Sequence, residues 1–280
     1  MAEQILGKGN IRKMRTQLEG KKALYFLPIG EQEVAMNDLI GHNLRLDFHG
    51  QINCVHCDRE IKKSFNQGYC YPCFRALAEC DSCIMSPEKC HYHFGTCRDE
   101  AWAETHCMVD HFVYLANSSG LKVGITRYTQ IPTRWIDQGA VQAIPLFRTK
   151  SRYLSGLVEV ALKAHAADKT SWQTMLKNHV DTLSMVEERE KILALVRDDI
   201  HALQQEHGIQ AIQYVDSDEV TDIEFPVIAY PTKVSSFNLD KVASAGGKLM
   251  GIKGQYLIFD SGVINMRKYT GYALDLHQLS

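Results

Sequence analysis

The stretch "CVHCDREIKKSFNQGYCYPC" limits what this chain can fold into more than any other. Cys54 and Cys57 are separated by two residues, twelve residues follow, and Cys70 and Cys73 repeat the gap. Each CxxC turn aims two sulfurs and its backbone N–H groups at one point, so two such turns can place four thiolates around one tetrahedral Zn²⁺. The bland alternative is four unligated buried cysteines in a reducing compartment, and the regular spacing argues against it. All nine cysteines lie between Cys54 and Cys107. An odd, clustered set is not how a secreted disulfide framework is spread over its chain.

The next stretch, "CDSCIMSPEKCHYHFGTC", is less regular. Cys80 and Cys83 form a third CxxC, while Cys90 and Cys97 stand alone. The spacing predicts a second zinc on Cys80, Cys83, Cys90 and Cys97. His91, His93, His106, Cys107 and His111 remain alternative ligands, and an iron–sulfur cluster remains an alternative to zinc, although no close run of four ferredoxin-type cysteines is present. An all-thiolate site is closed and leaves no position for water, so the block is read as structural and as a contact surface for nucleic acid.

A chain of 280 residues with 45% hydrophobic and 23% charged residues can bury a sizeable core. The fold class expected is α+β, with four regions: a β-rich N-terminal region (residues 1–52), the cysteine-rich module (residues 53–110), a β-β-α-β-α unit with a helical extension (residues 111–222), and a β-rich C-terminal region (residues 223–280) packing against the first. Alternating apolar and polar residues at both ends carry the strand prediction, with Asp260-Ser261-Gly262 as a hairpin turn. One helix is predicted from a capping box at Ser184 and Glu187 to Gly208, with Ile192, Val196, Ile200 and Leu203 on its apolar face and a Glu187–Lys191 pair. The N-terminus lacks a signal-peptide core and no apolar run is long enough for a bilayer, so a cytoplasmic protein without membrane contact is expected.

Residues 111–170 hold eight Lys/Arg against three Asp/Glu, and residues 171–225 hold four against twelve. A basic segment suits a phosphate-rich ligand, and a solvated surface gives the same count. Inside it, "HFVYLANSSGLKVGITRYTQIPTRW" reads as a hairpin with the loop Ser118-Ser119-Gly120, followed by a short helix carrying Arg134 and ending at Gly139. The pleat puts Tyr114, Lys122 and Gly124 on one face, expected to be open, and Val113, Leu115, Val123 and Ile125 on a core face. A strand "AVQAIPLF" and a helix "SRYLSGLVEVALKAHAA" with Glu159 near its middle complete the order β-β-α-β-α.

Residues 111–165 resemble the GIY-YIG nuclease superfamily. Val113-Tyr114 stands for the GIY end, Lys122-Val123-Gly124 for the YIG end, Arg134 for the helix arginine and Glu159 for the metal-binding glutamate. The whole chain also resembles an uncharacterised bacterial family of unknown function in which "SPEKCH", "GTCR", "KVGITR", "RWIDQGA" and "GIKGQYL" occur together. The nuclease resemblance implies one Mg²⁺ on Glu159 polarising a phosphate, Tyr114 assisting deprotonation of water, Arg134 donating to the developing charge and Lys122 adding a point charge. Lys122 replaces the second tyrosine of the motif, the interval from Tyr114 is short, and Gln138 stands four residues after the arginine, where the nucleases often carry His or Tyr.

The function expected from these residues is that of a zinc-containing nucleic-acid-binding protein, with Mg²⁺-dependent endonuclease action as its enzymatic form. Its rivals are a non-catalytic module binding RNA or a ribonucleoprotein, and a redox- or metal-responsive interaction protein working through the second cysteine block. DNA versus RNA stays open, as do cleavage itself, protein partners and oligomeric state. Tyr69, Tyr71, Phe74 and Trp135 lie near basic positions and are candidates for stacking on unpaired bases or for core packing.

Overall fold

Alternation of apolar and polar residues makes both ends of the chain β-strands, and the computed structural model, which describes residues 3–165 and 171–279, joins them. The N-terminal strands are β1 (Glu3–Asn10), β2 (Arg15–Glu19), β3 (Lys22–Ile29), β4 (Gln32–Ala35) and β5 (Asn43–Ile52). Turns and two short helices, α1 (Tyr71–Ala76) and α2 (Glu100–His106), carry the cysteines. The middle holds β6 (His111–Asn117), β7 (Leu121–Arg127), α3 (Thr133–Asp137), β8 (Gln142–Thr149), α4 (Arg152–Lys163), α5 (Trp172–Leu176), α6 (Met185–Leu195), α7 (Arg197–His207), β9 (Ile212–Tyr214) and β10 (Thr221–Asp222). The chain ends in β11 (Ser244–Lys253), β12 (Tyr256–Phe259), β13 (Val263–Asn265) and β14 (Tyr272–Leu279).

One six-stranded sheet has the order β1-β14-β5-β11-β12-β13, so strands from the two ends lie side by side. A three-stranded sheet, β2-β3-β4, packs over it; the period-2 burial of β3 puts Ala23, Tyr25, Leu27 and Ile29 into the shared core. The middle sheet has the order β10-β8-β6-β7, with β9 also on β8. The α+β class is therefore observed. No helix among the described residues is long and apolar enough to cross a membrane.

The hairpin register sets Tyr114 opposite Gly124, Ala116 opposite Lys122 and Asn117 opposite Leu121, around a loop in which Gly120 has φ +131°. Val113, Leu115 and Val123 pack on Leu154, Val158 and Leu162 of α4 and on Ile192 and Ile200 of α6 and α7. The other face, expected to be open, is closed. Tyr114 and Ala116 enter the core of the terminal sheets beside Trp135 and Ile136, and Tyr114 is 0% exposed. The pleat was legible, but nothing local showed that residues from the distant termini cover that face.

The predicted Ser184–Gly208 helix is two helices. Ser184 caps the first by accepting from the Glu187 N–H at 3.4 Å, but Val196, fully buried with φ −101° and ψ 7°, breaks the run. The break presents Ile192, Val196 and Ile200 together to the second core. Lys191 pairs with Glu188 at 2.7 Å, three residues away, in place of the expected Glu187. α4 ends at Lys163, and the Ala166-Ala167 end of its predicted span lies outside the described residues.

Gly156 lies in the interior of α4, where alanine is normally favoured by about 1 kcal/mol. A Cβ there would stand 2.5 Å from the Glu88 N and 2.7 Å from the Pro87 carbonyl carbon, both backbone atoms. Overpacking of this kind costs typically about 1 to 3 kcal/mol, so the clash outweighs the propensity. Gly156→Ala is expected to lower stability by roughly 1 to 2 kcal/mol in chemical denaturation. A stabilised variant would mean that the Pro87–Glu88 segment is not held against α4.

Candidate functional site

The first cysteine group is assembled by two small hairpins. Antiparallel bridges Asn53–Glu60 and Phe65–Tyr69 close them, and residues at positive φ, Asp58 in the first and Asn66, Gln67 and Gly68 in the second, make the turns. Cys54, Cys57, Cys70 and Cys73 bring one sulfur each within 4.8 Å of the others. The Cys70 N–H donates to Cys54 Sγ at 3.2 Å and the Cys73 N–H to Cys70 Sγ at 3.4 Å. Burial opposes ionisation of Cys54, but backbone N–H groups of Cys57, Cys70 and His56 outweigh it and pull the thiol down to about 6. A concave set of thiols with donors aimed at the sulfurs fits a structural thiophilic ion such as zinc.

The second block is arranged differently from its spacing. Cys80 turns back toward the first group and accepts from Asn66 Nδ2 at 3.5 Å. Cys83, Cys90 and Cys97 face another way, and with them Cys107, His91 and Asp81. Asp81 is paired with Arg98 at 2.7 Å. His93 and His106 are not in that grouping, and His111 is fully buried, its Nδ1–H donating to the Val109 carbonyl at 2.7 Å. Burial holds His111 down to about 4, so it stays neutral near pH 7.

Along the edge strand β7, an open pocket of about 360 Å³ brings Glu159 and Arg134 together. Six cationic side chains, Lys13, Arg127, Arg134, Arg152, Lys163 and Arg267, line it with two carboxylates, Asp137 and Glu159. Asp137 is engaged by Lys13 and by Gln255 Nε2 at 2.8 Å, and Glu159 by Lys163 at 3.3 Å. Among the described residues none of the four arginines has a carboxylate within ion-pair distance. Burial pushes the Glu159 carboxyl up from its ordinary value, opposed mainly by Lys163. Gly124 belongs to the lining and Lys122 does not.

Tyr114 reaches this pocket only indirectly. Its Oη lies 2.8 Å from the Gln138 amide. With the amide turned to satisfy both ends, Gln138 Nε2 donates to the phenol oxygen and Oε1 accepts from Arg134 Nε and Nη2 at 3.2 Å. A Cβ on Gly124 would stand 2.6 Å from Tyr114 Oη, so the absence of a side chain there is what lets the phenol cross the strand. Burial raises the Tyr114 hydroxyl to about 12, which keeps it protonated at neutral pH. Trp135 is 3% exposed and packs edge-on to Tyr114 at 5.8 Å, which removes it as a base-stacking surface; Tyr71 is 54% exposed.

Several lining residues escape a reading by motif. Arg152, Glu159 and Lys163 are seven and four residues apart, a spacing that puts them on one helix stripe and was available as a signal. Lys13 and Arg267 arrive from the two ends of the chain and carry no local signal. A family model described as "Protein of unknown function (DUF2797)" matches residues 41–274. No curated protein and no solved structure matches the chain.

Proposed function

The chain belongs to the DUF2797 family of proteins of unknown function, and from that premise we propose that it binds nucleic acid and cleaves its phosphodiesters at the Glu159–Arg134 pocket in a divalent-metal-dependent reaction. The observation that supports this reading is the clustering, around one half-buried glutamate in an open pocket, of four arginines that have no carboxylate partner among the described residues. Such a site favours an anion with several oxygens, and guanidinium groups match phosphate geometry. The Cys54 group acts as a structural zinc centre that holds the basic surface in place.

Glu159 is the residue that would hold Mg²⁺. One carboxylate suffices for an ion that keeps most of its waters and takes substrate oxygens as further ligands. When bound, the ion supplies polarisation of the phosphate and a more acidic water. Arg134 donates to the charge that develops on phosphorus, and Gln138 fixes its orientation. Tyr114, a buried neutral phenol outside the pocket lining, holds the Gln138 amide that in turn accepts from Arg134, and so acts by positioning and not by removing a proton. This follows the GIY-YIG resemblance in its components, with Gln138 in the place of a second proton carrier.

Binding without cleavage is favoured by one contact, the Glu159–Lys163 pair, since an ammonium on the carboxylate competes with a metal. The deciding measurement is single-turnover incubation of single- and double-stranded DNA and RNA with Mg²⁺ or Mn²⁺. Metal-dependent strand cleavage supports the first reading, and salt-sensitive binding with no cleavage of any substrate selects the second.

A further inference from the structure

Four cysteines outside the Cys54 group line one small cavity. Cys83 lies within the turn Ser82–Ile84, Cys90 follows the turn Pro87–Lys89, Cys97 precedes α2, and Cys107 caps its C-terminus. The cavity they share is about 10 Å³, close to one water-sized sphere. Cys83 and Cys90 influence each other's ionisation and Cys107 lies close enough to Cys90 and Cys97 to feel their charge, although the four sulfurs are less tightly gathered than those of the Cys54 group, which lie within 4.8 Å of one another.

We propose that Cys83, Cys90, Cys97 and Cys107 hold a second single thiophilic metal ion, of the zinc class, in a closed four-thiolate site from which Cys80 is excluded. Three observations carry it. All four cysteines line the same small cavity. The surrounding chain, residues 77–107, consists of short turns and one short helix, and its buried residues are Ala78, Cys80, Asp81, Pro87, Ala103 and Cys107, too few to hold it closed without a staple. Lastly, the Arg152 Nε is buried, within electrostatic reach of Cys107 and Cys83, and lacks a partner among the described residues. A tetrathiolate site with its ion carries net negative charge and compensates that guanidinium.

The compact alternative, Asp81, Cys83 and His91, is already satisfied without metal. Asp81 pairs with Arg98, and His91 Nδ1 shares a hydrogen bond with Thr96 Oγ1 at 2.9 Å. The proposed ion also braces the pocket, because Ile84, Met85 and Pro87, between two of its ligands, contribute to the pocket wall, and Arg152 donates to the Ile84 carbonyl.

The test is metal content of the purified full chain, with cobalt substitution as a second readout. Wild type is expected to hold about two equivalents of zinc, and Cys97→Ser and Cys107→Ser about one. Cys80→Ser and His91→Ala should keep both. Loaded with Co²⁺, Cys97→Ser should lose about half of the thiolate-to-metal charge-transfer absorption. Cys97 is partly exposed, so this variant stands in if Cys107→Ser fails to fold. One equivalent in wild type, loss of an equivalent on changing Cys80 or His91, or the visible absorption of an iron–sulfur cluster in protein prepared without oxygen would each overturn the assignment.

Discussion

Removing the metal proposed for the Cys54 centre, by chelation or by Cys70→Ser, is expected to unfold residues 53–76 and lower the melting onset by on the order of 10 °C. The reason is the composition of that module's interior. Between residues 53 and 76 only Cys54, Gly68 and Cys70 are buried, and α1 buries nothing. Its core is the sulfur cluster itself. Structural zinc sites in small modules supply roughly 10 to 16 kcal/mol of apparent binding free energy, comparable with the whole stability of a typical domain. The loss should also spread, because the Asn53 N–H donates to the Gly271 carbonyl at 2.8 Å and Arg267 Nε to Gln67 Oε1 at 2.6 Å. Arg267 lines the basic pocket, so loosening the knuckle loosens one of its cations. Hydrogen exchange followed by mass spectrometry is the measure: unchanged protection in residues 53–76 after metal removal would show that the thiols pack adequately without an ion.

What was legible in the sequence follows the range of the interactions involved. The CxxC spacing fixed the first sulfur group because both turns are local and the metal geometry admits few arrangements. The β6–β7 pairing was equally readable from its turn and its alternation. The environment of Tyr114 was not, since its cover comes from residues near both termini. The second cysteine block is less readable for a related reason. Cys80 and Cys83 look like a knuckle in sequence, but the turn at Ala78–Cys80 sends the Cys80 sulfur toward Asn66, and Cys107, ten residues beyond Cys97, comes back at the end of α2. The pocket is half legible: Arg134 and Glu159 could be singled out in the sequence, whereas Lys13 and Arg267 reach it only through the fold.

Glu159→Gln is expected to abolish metal-dependent cleavage while leaving nucleic-acid binding equal or slightly tighter. The substitution removes the carboxylate that would anchor the ion and leaves every cation of the pocket in place. It should not unfold the protein. Burial raises the Glu159 carboxyl above its unfolded value, so the folded state holds this proton more tightly than the unfolded chain does. Its stabilising contribution is therefore full below the unfolded value and lost as pH rises through the folded one; at neutral pH a neutral glutamine is at least as stable. The Lys163 pair given up is partly exposed and worth little. Arg134→Ala differs in kind: it removes a donor aimed at the transition state and the partner that orients Gln138, so the rate should fall by about 10² to 10³ with a smaller loss of binding. The pH profile adds a check with a definite sign. Activity should decline as pH falls through a value above the ordinary glutamate range, where Glu159 takes up its proton, and Tyr114 should contribute no titration below about 12. Single-turnover rates of wild type and Glu159→Gln, measured with intact thermal stability, decide the matter. Equal rates, including none from either protein, would leave a basic pocket that binds phosphate without breaking it.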